Sequence, residues 1–324
     1  MSEIKNHISI LGSGAWGTAL AQLLSKKSSV MMWVKEKTVK NDINQYHQNK
    51  KFLPGLKLNK NIIGTNNLED LKYSEIIFLT VPVQYMSSIL KKIKKIVKKN
   101  VIFVCCSKGI EMNNLRLPSQ IVESYFPNHN IAVLSGPNFA EEISRSMPAA
   151  TLIASSKINT SKKIASVVQT KFFRPYISDD VIGSQIAGAT KNVYAIACGI
   201  VDGKKFGKNA IASIISRSFA EISKLNKSMK AKTETLSGLS GMGDLVLTCT
   251  SKKSRNFKLG LDLANGMSLN AIIKKNSSIA EGVFTARALR QMTLKKKLNL
   301  PIAETVYQIL YRKKNIDHAI EELL

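Results

Sequence analysis

The stretch His7-Ile-Ser-Ile-Leu-Gly-Ser-Gly-Ala-Trp-Gly-Thr-Ala-Leu-Ala-Gln-Leu-Leu24 runs a short apolar strand, Ile8–Leu11, straight into a glycine-rich turn and then a helix. Gly12, Gly14 and Gly17 stand at the spacing G-x-G-x-x-G, and each has its own physical task. Gly12 lets the chain turn sharply out of the strand. Gly14 carries no Cβ, so a pyrophosphate can approach the backbone closely. Gly17 lets the following helix lie tight on the strand. That helix, over residues 16–24, gathers Leu20, Leu23 and Leu24 on one face, and its N-terminal amides point where phosphates would sit. Glycines also punctuate ordinary turns; the strand before and the helix after make this one a dinucleotide-binding turn.

A second strand, Val30–Trp33, arrives about twenty residues past the first glycine, where the ribose-reading residue is expected. Its end reads Val34-Lys35-Glu36. Lys35 is suited to pair with the 2′-phosphate of NADP, whereas Glu36 would have to reach back to the ribose hydroxyls of NAD. A solvated basic surface accounts for Lys35 equally. The balance between NADP and NAD tips toward NADPH. Further near-continuous apolar runs at residues 75–81, 100–106, 131–135 and 151–155 read as strands of a parallel sheet buried on both faces. Between the first two, Met86, Ile89, Leu90, Ile93 and Ile96 share one face of a helix whose other face is lysine, a βαβ crossover. Ligands in such sheets bind beyond the carboxyl ends of the strands. Thr80-Val-Pro82, Ser107-Lys-Gly109 and Ser135-Gly-Pro-Asn138 lie there. Lys108 is a candidate ligand-facing cation, or a surface lysine.

The chain of 324 residues exceeds the usual single-domain size, and 44% apolar content supports full-sized cores. No apolar run approaches the ~20 residues a membrane helix needs, and no signal-like stretch opens the chain. Cys105, Cys106, Cys198 and Cys249 show no metal-ligand spacing, and the four histidines are scattered. No metal site is expected, and thiols in apolar contexts suit a reducing cytoplasm. The net charge of +26 suggests nucleic acid, but only eight of the 48 basic residues are arginine and aromatics are 6%. No interleaved basic and aromatic stacking surface results, so no specific nucleic-acid partner is expected. A codon bias toward lysine explains the charge equally well.

Past Ile182 strand-like runs give way to amphipathic helices, with no proline between Pro175 and Pro301. The expected architecture is α/β: an N-terminal Rossmann-type domain with a mostly parallel sheet over residues 1–182, then an all-helical domain over 183–324. Residues 209–225 place Ile211, Ile214, Ile215, Ile222 and Leu225 on one face. Residues 184–201 form an apolar helix with Ser184, Ala187, Gly188, Lys191, Ala195, Cys198 and Gly199 on one face. A lysine amid small residues has room beside it for a substrate or another chain. Desolvation there would lower its pKa into a range suited to acid–base work. A lysine snorkelling along a closely packed helix fits the same pattern. Arg255, flanked by Ser254 and Asn256 at a helix start, is suited to clamp a phosphate. Ser254 as a helix cap, and Arg255 or Asp244 in a structural ion pair, are the plainer alternatives. Ala280-Glu-Gly282 is a further polar spot.

Six motifs in order, Gly12-Ser-Gly-Ala-Trp-Gly-Thr-Ala-Leu20, Ser107-Lys-Gly-Ile-Glu111, Ser135-Gly-Pro-Asn-Phe-Ala140, Gly188-Ala-Thr-Lys-Asn-Val193, Gly243-Asp-Leu-Val-Leu-Thr-Cys249 and Ser254-Arg-Asn256, carry a resemblance over nearly the whole chain. The chain resembles the bacterial NAD(P)-dependent glycerol-3-phosphate dehydrogenases. The resemblance implies reversible hydride transfer between a nicotinamide and the central carbon of dihydroxyacetone phosphate or sn-glycerol 3-phosphate, at the start of phospholipid synthesis. It implies that Lys191 transfers the proton and that Lys108, Gly136, Asn138, Lys191, Asp244, Ser254, Arg255 and Asn256 contact substrate. Cofactor contacts then fall on the turn at Gly12, Gly14, Ala15, Trp16 and Gly17, and on Lys35, Lys108, Ala140, Arg255, Ala280 and Glu281. Asn138 stands where many relatives carry Ser or Thr, and Ala15 lacks the hydroxyl common there. A cytoplasmic homodimer is expected. Another two-domain reductase of a small hydroxy or keto acid would share the fingerprint and the helical lysine, but gives no reason for Ser254-Arg-Asn256.

Overall fold

The computed structural model describes residues 8–275 and 280–321. The chain divides into two compact units. One holds the residues up to Ser107 together with Pro118–Val181; the other holds Lys108–Leu117 and the chain from Ile182 onward. Nothing in the sequence pattern signals that Lys108–Leu117 leaves the first unit to join the helical one.

The first unit contains β1 (Ile8–Leu11), α1 (Ala15–Leu24), β2 (Val30–Trp33), α2 (Lys37–Tyr46), β3 (Ile62–Thr65), β4 (Ile76–Leu79), α3 (Val83–Ile93) and β5 (Ile102–Cys105). It continues with α4 (Pro118–Tyr125), β6 (Asn130–Ser135), α5 (Ala140–Ser144), β7 (Ala149–Ala154), α6 (Ile158–Val168) and β8 (Phe173–Ser178). The strands form one sheet in the order β3-β2-β1-β4-β5-β6-β7-β8. The order reverses direction at β1, and in sheets of this kind the crevice for a ligand opens at such a switch point. Side chains alternate between two cores, one on each face. Ile76, Phe78, Ile102 and Val104 pack in one, and Ile77, Leu79, Phe103 and Cys105 in the other. A strand buried on both faces must be apolar at every position, hence the continuous runs.

Three features depart from the sequence pattern. Residues 151–155 are expected in a parallel strand; residues 151–154 lie in β7, which pairs antiparallel with β6 and parallel with β8. The connection from β6 to β7 carries only the five-residue α5, too little helix for a parallel crossover. The edge strands β3 and β8 escape a search for apolar runs, because edges face solvent and tolerate Gly64 and Pro175. The helix expected to include Ile96 ends at Ile93, and Ile96 is half-buried beyond it.

The second unit comprises α7 (Val181–Gly203), α8 (Gly207–Ser228), α9 (Thr233–Ser237), α10 (Asp244–Thr250), α11 (Arg255–Ala264), α12 (Leu269–Lys275), α13 (Glu281–Lys296), α14 (Pro301–Arg312) and α15 (Ile316–Glu321). Every residue of α7 from Gly183 to Val201 is buried, so it is the central helix of this core. Gly199 and Gly260 bring α7 and α11 together backbone to backbone. A Cβ on Gly199 would lie 2.0 Å from the Phe257 carbonyl oxygen, and one on Gly260 would lie 2.1 Å from that of Ile196. At Gly199, therefore, the stripe of small residues on α7 receives a helix of the same unit. Helix α8 runs slightly longer than expected at both ends, with Ile211, Ile214, Ile222 and Leu225 buried and Ile215 half-buried. Its buried Glu221 caps α14 from a distance, accepting from Ile302 N at 2.7 Å, Ala303 N at 3.2 Å and Tyr194 Oη at 3.2 Å. Burial raises the Glu221 carboxyl pKa, opposed by those two backbone N–H groups. Among the described residues no helix is long and apolar enough to cross a membrane.

The glycines make a graded prediction. Gly260→Ala forces a methyl group against a carbonyl and lowers the stability of the helical unit by about 3 kcal/mol, the upper end of overpacking costs. Gly17→Ala does the same to the first unit, since its Cβ would lie 2.1 Å from the Gly12 carbonyl oxygen. A Cβ on Gly14 meets nothing within 4 Å, so Gly14→Ala changes stability by less than about 1 kcal/mol. Urea unfolding of the three variants checks the order.

Candidate active site

The helical unit gathers three charged side chains that are far apart in sequence. Lys191 lies in the middle of α7, Asp244 opens α10, and Lys108 stands at the start of the Lys108–Leu117 segment. Asp244 is fully buried and binds both lysines. Lys108 Nζ donates to its Oδ2 at 2.7 Å, and Lys191 Nζ donates to its Oδ1. Lys191 Nζ also donates to Thr248 Oγ1 at 2.8 Å, and that hydroxyl donates to the Asp244 carbonyl oxygen at 2.6 Å. A π-helical turn, Leu239–Gly243, delivers Asp244 to this position. It folds back so tightly that a Cβ on Gly241 would lie 1.8 Å from the Leu236 carbonyl oxygen.

The group carries two potential positive charges against one negative, in a setting with little water. Burial lowers the Lys191 pKa from the ordinary 10.5 to about 8; Asp244 acts to raise it, and the neighbouring charge of Lys108 acts to lower it further. Lys191 is therefore poised to give or take a proton close to neutral pH.

A polar chain extends from this group. Asn192 Nδ2 donates to the Lys108 carbonyl oxygen at 3.4 Å, and Asn256 Nδ2 donates to Asn192 Oδ1 at 2.9 Å. Asn256 Oδ1 in turn accepts from Gly282 N at 2.9 Å, capping α13, whose N-cap is Ala280 and whose first residue is Glu281. The Asn256 side chain is thus engaged on both sides, with one amide hydrogen left for a ligand. Ser254 Oγ caps α11 by accepting from Phe257 N at 3.3 Å, and Arg255 stands exposed at the first position of that helix. Thr248 and Asn192 belong to this network although no role was read for them in the sequence. They sit inside the family motifs, one helical turn from Asp244 and one residue from Lys191.

The sheet unit presents the remaining candidates. Gly12 has φ +119°, the backbone only glycine adopts readily. Gly14 is the N-cap of α1 and has ordinary backbone angles. No protein atom forbids a side chain at Gly14, so the open space above it suits an approaching ligand. Ala15, Trp16 and Gly17 follow in the first turn of α1, and Trp16 Nε1 is buried without a hydrogen-bond partner. These features fit a dinucleotide whose pyrophosphate rests on the turn. Lys35 is exposed just past β2, while Glu36 pairs with Lys51 at 3.1 Å. At the carboxyl end of β6, Gly136 packs against Thr151, and Asn138 Nδ2 donates to the Pro137 and Ala150 carbonyl oxygens. Asn138 Oδ1 and Ser135 Oγ are buried and unpartnered, so this loop holds two polar atoms in want of a ligand. Ala140 opens α5. Ser135 is a further candidate that the sequence, read by residue type, did not single out.

Comparison with known proteins follows the same division. Residues 7–161 match the family model of the NAD-dependent glycerol-3-phosphate dehydrogenase N-terminus, and residues 180–321 match that of its C-terminus. The chain is 39% identical over 318 residues to the glycerol-3-phosphate dehydrogenase (NAD(P)+) of Parvibaculum lavamentivorans, covering 98% of this chain and 96% of that one. It is 42% identical over 305 residues to the enzyme of the same name from Novosphingobium aromaticivorans, covering 94% and 91%. The crystal structure of glycerol-3-phosphate dehydrogenase from Coxiella burnetii superimposes with a TM-score of 0.95 at 32% identity, over 98% of this chain and 99% of that one. A buried and a half-buried lysine sharing one carboxylate, a glycine turn open to a dinucleotide, and these matches along both units together place the chain in the NAD-dependent glycerol-3-phosphate dehydrogenase family.

Proposed function

We propose that the protein interconverts dihydroxyacetone phosphate and sn-glycerol 3-phosphate with NAD(P)H, supplying glycerol phosphate for phospholipid synthesis. The observation that carries this reading is Lys191, buried against Asp244 beside a second lysine, Lys108. Bound NAD(P)H supplies the hydride that the ketone carbon receives. Lys191 Nζ gives its proton to the oxygen on that carbon as negative charge develops there. Lys108 Nζ places a second positive charge beside the oxygen and helps keep the Lys191 pKa low. Asp244 holds both ammonium groups in place, and Thr248 takes a second of the three Lys191 N–H bonds, leaving the third for the substrate oxygen. Arg255, with the first amides of α11, takes the substrate phosphate. Positioning and electrostatics are the protein's share of this chemistry.

The turn at Gly12, Gly14 and Gly17 holds the cofactor pyrophosphate. Lys35, at the position that reads the ribose, favours NADPH because Glu36 is drawn into its pair with Lys51. The enzyme acts in the cytoplasm as a homodimer.

The protonation state of Lys191 sets the sign of the pH dependence. Reduction needs Lys191 protonated, so its kcat is level below about pH 8 and falls as pH rises through that value. Oxidation of glycerol 3-phosphate needs the neutral amine and rises over the same interval. Steady-state rates in both directions test this, and two profiles of the same sign would contradict it. Lys191→Met lowers kcat by roughly 100- to 10,000-fold, the range for loss of a general acid. Arg255→Ala reduces the preference for dihydroxyacetone phosphate over dihydroxyacetone by roughly 10- to 100-fold. Equal losses on both ketones would favour a reductase of unphosphorylated substrates instead.

A further inference from the structure

The glycine turn is held from behind by a residue that belongs to neither the strand nor the helix flanking it. Asn49 lies in the connection between α2 and β3 and is almost wholly buried. Its Nδ2 donates to the Ser13 carbonyl oxygen at 2.8 Å and to Thr18 Oγ1 at 2.7 Å, and its Oδ1 accepts from Phe52 N at 3.2 Å. Thr18 Oγ1 donates back toward the turn, at 3.2 Å from Ser13 O and 3.0 Å from Gly14 O. The Ser13 and Gly14 carbonyls are therefore tied to one Asn–Thr pair. The connection is anchored in turn: Phe52 packs in the same core as Ala15 and Trp16, and Leu53 and Leu58 are buried.

A trans peptide sets the carbonyl of Ser13 and the N–H of Gly14 in opposite directions. Pinning the Ser13 carbonyl toward Asn49 aims the Gly14 N–H the other way, away from Asn49. The turn has no Cβ at Gly12 or Gly14 to limit its backbone, so without these bonds the peptide can rotate. We propose that Asn49 is a positioning residue for dinucleotide binding: with Thr18 it locks the Ser13–Gly14 peptide so that its N–H meets the pyrophosphate. The inference rests on the reading that the sheet unit binds NAD(P)H.

Asn49→Asp keeps the shape and the acceptor for Phe52 N but cannot donate to Ser13. It is expected to raise the Kd and KM for NADPH about tenfold or more, with kcat at saturating NADPH and KM for dihydroxyacetone phosphate within about twofold of wild type. A residue that merely stabilised the fold would not split the constants in this way. Thr18→Val is expected to raise the same two constants. The double variant is expected to lose less than the product of the two single losses, because both side chains act on one carbonyl. An unchanged Kd for NADPH in folded Asn49→Asp, or a loss confined to kcat, overturns the inference. If Asn49→Asp gives no cooperative thermal transition, Thr18→Val decides alone by the same criterion. A wild type that binds neither NADPH nor NADH overturns the dinucleotide reading, and this inference with it.

Discussion

Asp244, buried and shared between Lys191 and Lys108, is the interaction on which the proposed chemistry turns. Desolvation is the largest influence on Lys191 and lowers its pKa; attraction to the carboxylate opposes it, and repulsion from the second lysine adds to it. The fall from the ordinary 10.5 to about 8 corresponds to about 3 kcal/mol. Were Asp244 paired with Lys191 alone, the carboxylate would hold the proton on the amine and spoil it as an acid. Two lysines on one aspartate keep the amine in place while leaving its proton transferable.

The rest of the helical unit serves that arrangement. Helix α7 carries Lys191 through the centre of the core and crosses α11 at backbone contact through Gly199 and Gly260, which fixes its depth. Asn192 and Asn256 then tie the lysine helix, the Lys108 backbone and the start of α13 into one hydrogen-bonded line. Lys191 and Asn192 sit on a 23-residue helix and Asn256 on α11, and these buried amides also tie down the irregular segment that carries Lys108, the kind of support that holds a site's geometry tightly.

Much of this was legible in the sequence. The fingerprint and its flanking periodicities disclosed the first strand, the first helix and the sharp turn between them. The continuous apolar runs disclosed the central strands, because burial on both faces leaves no polar position. Edge strands β3 and β8 and the antiparallel turn of β7 were not legible, since solvent exposure and strand direction leave little mark on composition. Lys191 stood out as a lysine among small residues, yet the pattern could not say that α11 would fill part of that space. Partners such as Asn49 with Ser13, Glu221 with Ile302, or Asn256 with Gly282 depend on the folded chain bringing distant segments together. No local spacing announces them.

The most direct test of the account is the ionisation of Lys191 itself, followed by NMR through the 13Cε resonance of labelled lysine and assigned by its absence in Lys191→Met. The account predicts one lysine titrating near pH 8, moving lower in Asp244→Asn and higher in Lys108→Met. A midpoint near 10.5 in the wild type, or one that ignores both neighbours, would contradict it.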